Sequence, residues 1–154
     1  MSRIEETLAK LGITLPTPAA PVANYVPYVI SGNLVFISGQ VSLAPAGLIK
    51  GRLGEDMSLE DGVAAARVCG LNLIAQLKAA CGGDLNRVKR VVKLGGFVNS
   101  APAFVDQPKV ANAASELMLE VFGEAGRHAR AAVGSISLPL GAPVEIEFLF
   151  EVRD

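Results

Sequence analysis

The sequence is poor in the residues that most often bind metals. Its 154 residues include one histidine and two cysteines, and the cysteines do not form a Cys-x-x-Cys pair. Protein zinc sites need several histidine or cysteine ligands close together. The composition therefore predicts a protein without a metal site.

The two cysteines are also too far apart to form a disulfide. Cys69 and Cys81 fall near the two ends of one predicted helix, and a helical rise of about 1.5 Å per residue places their Cα atoms roughly 18 Å apart. A disulfide requires Cα atoms within about 7 Å of each other. We expect both cysteines to be small core residues.

Long apolar runs and blocks of basic residues are absent as well. No segment approaches the roughly 20 consecutive apolar residues of a membrane span, and residues 1–6 are charged, unlike a signal peptide. The net charge is −1 and no long uninterrupted block of lysine and arginine is present, which argues against nucleic-acid binding. We expect a cytoplasmic protein with neither a membrane nor a nucleic-acid partner.

Hydrophobic residues, by contrast, are abundant. They make up 51% of the chain, and the mean hydropathy is +0.41. A chain of 154 residues is typical of a single domain, and such a domain seldom leaves large apolar patches exposed to water. We expect one domain over residues 1–154 that buries part of its surface by self-association.

The first 21 residues are predicted to form a helix followed by a connector. Ser2 is a candidate helix cap, Glu5 completes a capping box with it, and Gly12 is a stop signal. Three prolines between positions 16 and 21 then favour an extended chain. We assign residues 22–154 to the core of the domain.

The core begins with a predicted hairpin over residues 24–40, with a turn at Gly32 and Asn33. Gly39, near its end, indicates either a bulge or a close approach to the backbone. Residues 41–57 are predicted to be a loop. A helix then begins after Ser58, and its alanines and Gly70 indicate close packing on a sheet.

The second half continues with a strand, a helix and two more strands. Residues 88–98 are predicted to be a strand, and its many apolar residues favour an interior position in the sheet. The next helix has an apolar inner face and ends at Gly123; that face comprises Val110, Ala114, Leu117, Val121 and Phe122.

Residues 127–139 and 143–152 are predicted to be the last two strands, joined by a turn rich in proline and glycine. The last strand alternates with a period of two. One face carries Val144, Ile146, Phe148, Phe150 and Val152, and the other carries Glu145, Glu147, Leu149 and Glu151. We predict an α+β fold in which one mixed sheet has its two main helices on a single face. The uncovered face of the sheet would then meet other subunits and leave polar clefts between them.

Two motifs resemble the RidA family, also called YjgF or endoribonuclease L-PSP. The first is Ala129-Arg130-x-x-Val133-x-x-x-x-Leu138-Pro139 followed by Val144-Glu145-Ile146-Glu147. The second comprises Tyr25, Gly32-Asn33 and Ile37-Ser38-Gly39-Gln40. The resemblance runs from about residue 25 to the C-terminus, and the N-terminal helix indicates a longer, divergent branch of the family.

The resemblance implies a chorismate-mutase-like fold, a homotrimer, and three clefts at the subunit interfaces. Archetypal members hydrolyse reactive 2-imino acids to 2-keto acids and ammonia. Because such substrates are already activated, the resemblance implies no metal or organic cofactor. The implied ligand is a small carboxylate or imino acid.

The resemblance also implies roles for individual residues. The carboxylate-binding arginine falls on Arg130 and the water-orienting acid on Glu145. The cleft tyrosine is Tyr25, and the serine-glycine pair is Ser38 and Gly39. Without the motifs, Arg130 would be read as an interface ion pair, and Glu145 as a solvated glutamate like Glu147.

Three positions depart from the family pattern. Ala132 stands where the family has a cysteine, at a position thought to act through its backbone. His128 replaces the usual proline, and beside Arg130 it is either structural or tunes substrate choice and proton transfer. The loop at residues 99–102 has no placed equivalent of the asparagine that the family often carries near Pro102.

Two other functions remain open at this stage. The protein could be a non-catalytic trimer that binds small carboxylates or regulates a partner. An endoribonuclease or translation inhibitor, as attributed to some relatives, is disfavoured by the isoelectric point of 5.9 and by the missing basic face.

Overall fold

The computed structural model describes residues 3–21 and 23–154. Within these residues the helices are α1 (Arg3–Lys10), α2 (Leu59–Ala80) and α3 (Gln107–Phe122). The strands are β1 (Tyr28–Ser31), β2 (Leu34–Val41), β3 (Leu43–Ala44), β4 (Gly47–Leu48), β5 (Val88–Asn99), β6 (Ala129–Ser135) and β7 (Val144–Val152).

Five of these strands form one mixed sheet in the order β1-β2-β7-β5-β6. Neighbouring strands are antiparallel except β5 and β6, which run parallel. The middle strand is β7. The face of β7 that was predicted to be apolar is buried at all five positions: Val144, Ile146, Phe148, Phe150 and Val152. The predicted α+β fold with a mixed sheet is confirmed.

Both long helices pack on one face of this sheet, as predicted. Ser58 caps α2 by accepting a hydrogen bond from the amide of Asp61 at 3.1 Å. The predicted inner face of α3 is buried. Gly70, which we expected to contact the sheet, instead faces α3, because a Cβ there would lie 2.8 Å from Cδ2 of Leu117.

By length and composition alone, α2 is apolar enough to cross a membrane, but 61% of its most apolar window is buried inside the protein. The core helix of a globular domain has the same properties. Asn72 and Gln76 of α2 are also buried and bond to neighbouring segments. In this structure α2 is the central helix of the core.

The N-terminal helix packs on the helical layer through the buried side chains of Ile4 and Leu8. Glu5 pairs with Lys78 of α2 at 2.7 Å. Gly12 ends the helix with a φ of +70°, a conformation that glycine adopts easily. The predicted cap, Ser2, lies outside the described residues. Residues 13–21 form neither helix nor strand, consistent with the predicted connector.

Three details differ from the sequence predictions. The first strand begins at Tyr28, because Pro27 has no N–H to donate to a ladder. The predicted loop at residues 41–57 contains the short β3–β4 hairpin. The last two strands are not neighbours, because β5 lies between them. Their connection contains a 3-10 turn at Pro139–Gly141, which is longer than a tight hairpin turn.

The face of the sheet opposite the helices carries both apolar and acidic groups. Phe36 and Val133 are about half exposed there, at 46% and 49%. Glu145 and Glu147 of β7 project from the same face, because they alternate with the buried residues of that strand. The candidate site lies at one end of this face.

Candidate functional site

Strand β2 has a bulge opposite Glu147, and the glycine of this bulge contacts Glu145. Its pairing with β7 shifts register between Ile37 and Gln40, which leaves Ser38 and Gly39 out of the regular ladder. A Cβ on Gly39 would lie 3.1 Å from both Cγ and Cδ of Glu145. A side chain at this position would therefore displace the glutamate slightly, and Gly39 is both part of a bulge and a point of close approach, the two roles that the sequence indicated.

A cavity of about 640 Å³ opens beside this bulge. Glu145 and Glu147 line one side of it, together with Phe97 of β5. The other walls are mostly apolar and come from the connector, the β3–β4 hairpin and the turn before β7; they include Ala19, Ala20, Pro21, Tyr25, Leu43, Leu48 and Leu140. The size is that of a small-molecule site.

The two glutamates give the cavity an acidic side without a basic counterpart. Burial raises the pKa of Glu145, and the nearby charge of Glu147 raises it further. No lysine, arginine or histidine lines the cavity within the described residues. Neither glutamate forms an ion pair in residues 3–21 and 23–154. Such a site favours a cationic group.

Tyr25 lines the cavity, and Ser38 holds the segment that carries it. The hydroxyl of Ser38 donates to the carbonyl of Val26 at 2.7 Å. The amide of Ser38 donates to the carbonyl of Pro27 at 2.9 Å. Ser38 itself is not among the residues lining the cavity, so its structural contribution is to fix Tyr25 and its neighbours beside the bulge.

Two buried amides on α2 anchor the walls of the cavity. Asn72 donates to the carbonyls of Val41 and Leu43 at 3.2 and 3.0 Å. Gln76, one turn later, donates to the carbonyl of Ala19 at 2.8 Å and is only 2% exposed. Both walls are therefore tied to the core helix, because unpaired buried amides would be costly.

Arg130 lies on the other side of the sheet. It is paired with the buried Leu94 in the parallel β5–β6 register, and its guanidinium donates to α3. The acceptors are Oδ1 of Asn112 at 2.8 Å, Oγ of Ser115 at 3.3 Å and the carbonyl of Pro108 at 3.4 Å. All three acceptors are neutral, so Arg130 has no carboxylate partner within the described part of the chain.

His128 belongs to the same cluster as Arg130. Its Nδ1 lies 2.6 Å from the carbonyl of Gly126, and its Nε2 lies 2.9 Å from Oγ of Ser115. A carbonyl only accepts, so Nδ1 carries the proton and Nε2 can accept from the Ser115 hydroxyl. Burial lowers the pKa of His128, the Gly126 bond opposes that shift, and the charge of Arg130 adds to it. The neutral form is favoured, and it supports the bonds around Arg130.

The remaining divergent positions are structural in this protomer. Ala132 lies two residues after Arg130, in register with the buried Gly96. The side chain of Asn99 accepts from Arg52 Nε at 3.0 Å and donates to the carbonyls of Gly51 and Ala142, both at 3.3 Å. This network pins the loop at residues 99–102 to the core.

The structure divides the predicted site residues into two groups. Tyr25, Gly39 and Glu145 line the cavity, with Ser38 behind them. Arg130, Ala132 and His128 lie on the helical side of β6 and in the segment before it.

Sequence reasoning overlooked several contributors. Glu147 was assigned to solvent although the alternation of β7 already placed it beside Glu145. The buried amides Asn72 and Gln76 were missed too; their signal was two polar residues one turn apart in an otherwise apolar helix.

Comparisons with known proteins agree with this architecture. Residues 5–152 match the family described as "YjgF/chorismate mutase-like, putative endoribonuclease". The chain is 51% identical over 154 residues to protein TCP17 of Trypanosoma cruzi, covering 99% of this chain and 96% of that protein.

Two solved structures show how far the likeness extends. Atu1372 of Agrobacterium tumefaciens, a protein of unknown function, is 48% identical with a TM-score of 0.90, covering 97% of this chain and 92% of that one. RidA of the Antarctic bacterium Psychrobacter is 32% identical with a TM-score of 0.60, covering 88% and 94%. On the match over residues 5–152 and these likenesses, the chain belongs to the YjgF/chorismate mutase-like family.

Proposed function

We propose that this protein hydrolyses 2-imino acids to 2-keto acids and ammonia in clefts between the subunits of a homotrimer. Arg130 of one subunit binds the substrate carboxylate, and Glu145 of the neighbouring subunit orients the attacking water. The RidA motifs of the sequence and the family membership support this reaction class.

One observation carries the proposal: the complementary charges lie on separate surfaces of the protomer. Arg130 has three neutral partners and no counter-ion within residues 3–21 and 23–154. The cavity has two glutamates and no cation among its described lining residues. A 2-imino acid carries a carboxylate next to an iminium nitrogen, so it matches these two surfaces once an interface joins them.

A closed ring of subunits would form this interface. Strand β6 is an edge strand, so one of its sides has backbone groups free to meet another chain. Exposed apolar side chains lie on and just beyond it, at Val133 and Ile136. A contact between this edge and the open sheet face of the next subunit is head-to-tail, and such a contact forms a ring when the rotation between subunits closes, as a threefold rotation does.

The chemistry requires little beyond positioning and proton transfer. Glu145 accepts a proton from water as the water oxygen bonds to C2 of the iminium and the C–N π electrons move to nitrogen. Glu145 then delivers this proton to the nitrogen. As the C–N bond breaks and ammonia leaves, Glu145 accepts the hydroxyl proton, so that the hydroxyl oxygen becomes the keto oxygen, and the proton then passes to solvent. The raised pKa of Glu145 makes it a stronger base than an ordinary carboxylate.

An endoribonuclease function fits this cavity poorly. The acidic residues among its described lining are two glutamates, and no basic residue is among them, whereas binding of a phosphodiester backbone depends on basic side chains. A non-catalytic carboxylate-binding trimer remains the second candidate, favoured by the same unpaired Arg130, and the first experiment separates the two.

The test measures hydrolysis of imines that an L-amino-acid oxidase generates in situ. Semicarbazide traps the imine that has not been hydrolysed, so faster hydrolysis is seen as a fall in semicarbazone formation. Wild type should accelerate hydrolysis, and Arg130→Ala should lose at least about a hundredfold in kcat/KM because a desolvated carboxylate loses its partner. Arg127→Ala is the matched control, since Arg127 is exposed and pairs with Glu124 at 3.0 Å. Full activity in Arg130→Ala would refute the assigned role, and binding of 2-keto acids without turnover would establish the second candidate.

Mixing two inactive variants tests the shared cleft. Refolded together, Arg130→Ala and Glu145→Gln subunits should recover about a quarter of wild-type activity, because one interface in four pairs an intact arginine with an intact glutamate. No recovery in a mixed trimer shown by mass spectrometry would place both residues in one subunit's site.

A further inference from the structure

We infer that the cavity selects 2-imino acids with large apolar side chains, branched or aromatic, over those with a methyl or ethyl side chain. The inference rests on the proposed function and adds to it the substrate class. Part of the wall that creates this selectivity comes from the end of the connector, at Ala19, Ala20 and Pro21.

The size of the cavity is the first argument. An apolar cavity of about 150 Å³ already holds a benzene ring, and an imino acid with a methyl or ethyl side chain is about that size. The cavity here is about 640 Å³. The cavity therefore has room for side chains larger than methyl or ethyl, and a leucine- or phenylalanine-derived imine would leave less of this volume to water.

The distribution of polar groups is the second argument. The acidic groups lie together on β7, at Glu145 and Glu147, whereas the walls facing them carry apolar groups from Ala20, Leu43, Leu48 and Leu140. A ligand whose iminium nitrogen lies near the glutamates therefore directs its side chain toward an apolar surface. Contact of apolar groups with that surface is favourable in proportion to the area removed from water.

Leu140 supplies a third, independent observation. It has a φ of +62°, an uncommon conformation that is costly for a residue with a Cβ. Its side chain is 60% exposed and lines the cavity. A strained backbone that presents an exposed leucine to a cavity is explained if that leucine contacts a ligand.

The apolar walls belong to the protomer and are held rigidly. Gln76 fixes Ala19, and Asn72 fixes Leu43, through hydrogen bonds of 2.8 and 3.0 Å from buried amides. The α1 helix anchors the start of the connector through Ile4 and Leu8. The walls are therefore formed before any subunit or substrate arrives, which lowers the entropic cost of binding.

The experiment compares imines derived from alanine and 2-aminobutyrate with those derived from leucine, methionine and phenylalanine. The larger imines should be hydrolysed with a kcat/KM roughly tenfold or more above that of the alanine-derived imine. Equal rates, or faster hydrolysis of the small imines, would overturn the inference while leaving the proposed function intact.

A cavity-filling variant localises the effect. Ala20 is exposed and lines the cavity, so Ala20→Phe narrows the site without disturbing the core. It should reduce hydrolysis of the large imines at least about fivefold more than it reduces hydrolysis of the alanine-derived imine. Ala64→Phe is the control, because Ala64 is an exposed position of α2 that does not line the cavity. Equal losses for large and small imines in Ala20→Phe would contradict the assignment.

A binding experiment tests the size preference of the cavity even if the protein does not hydrolyse imines. If no imine is hydrolysed faster, calorimetric binding of pyruvate, 4-methyl-2-oxopentanoate and phenylpyruvate reports on the same cavity. If the two larger acids bind more tightly than pyruvate and Ala20→Phe weakens their binding, the size preference of the cavity is supported even without catalysis. Equal binding of all three acids, or none, would overturn it.

Discussion

Gly39 and Glu145 are in direct contact across the β2 bulge, where a Cβ on the glycine would lie 3.1 Å from two carbons of the glutamate side chain. The bulge therefore determines where the Glu145 carboxylate lies in the cavity. Without a glycine at this position, the glutamate would have to move by a few tenths of an ångström.

Gly39→Ala should lower the rate of imine hydrolysis without unfolding the protein. We expect kcat to fall roughly tenfold or less, because small displacements of a catalytic group carry large rate penalties. Gly96→Ala is the matched control: it is also a strand glycine with a similar 3.2 Å contact, but its neighbours are Leu94 and Ala111. Wild-type kcat in Gly39→Ala would show that the position of Glu145 does not limit the rate.

Glu145→Gln should increase stability at neutral pH. Burial and then Glu147 raise the pKa of Glu145 above its ordinary 4.5, so the folded protein binds this proton more tightly than the unfolded chain does. The ionised carboxylate therefore lowers the free energy of unfolding at neutral pH. This cost disappears as the pH falls below the ordinary pKa of 4.5.

Urea unfolding of wild type and Glu145→Gln at pH 7.5 and pH 4 measures this difference. The variant should have the higher free energy of unfolding at the upper pH, and the gap should close at the lower pH. Glu151→Gln is the control, since Glu151 pairs with Lys89 at 3.8 Å. A gap that widens on acidification would contradict the assigned direction.

Because of His128, mild acidification should lower the free energy of unfolding. Burial lowers the pKa of His128 below its ordinary 6.5, in spite of the Gly126 bond and with a further contribution from Arg130. The unfolded chain therefore binds the proton more tightly, so this stability is complete above 6.5 and is lost as pH falls through and below it. Wild type should lose more free energy of unfolding than His128→Gln between pH 7.5 and 5.5; parallel losses would disprove the prediction.

Gln76→Leu should loosen the connector while the domain stays folded. The change removes the 2.8 Å bond to the carbonyl of Ala19 and should cost about 1 kcal/mol of the free energy of unfolding. Hydrogen exchange should become faster in residues 13–21 than in wild type. Ser58→Ala is the control, because loss of the α2 cap costs a similar amount, about 1 kcal/mol, and leaves the connector in place. Equal exchange in both variants would show that Gln76 does not anchor the connector.

Much of the fold was predictable because its signals are local. The helix cap at Ser58, the helix-ending glycines at 12 and 123, and the alternation of β7 each depend on residues a few positions apart. The order of the strands in the sheet was not predictable in this way, and the last two strands proved to be separated by β5. Pairing partners are chosen by contacts between distant segments, which no local period encodes.

The sequence by itself determined the main helices and strands, the family, and the sharing of one face by Glu145 and Glu147. Period-two alternation fixes which residues of a strand lie together. Only the tertiary structure decided that Arg130 and Glu145 lie on opposite sides of one sheet, because that depends on the parallel register between β5 and β6. It also decided that a connector and two buried amides build the cavity, since those contacts join residues 19 and 76 and residues 43 and 72.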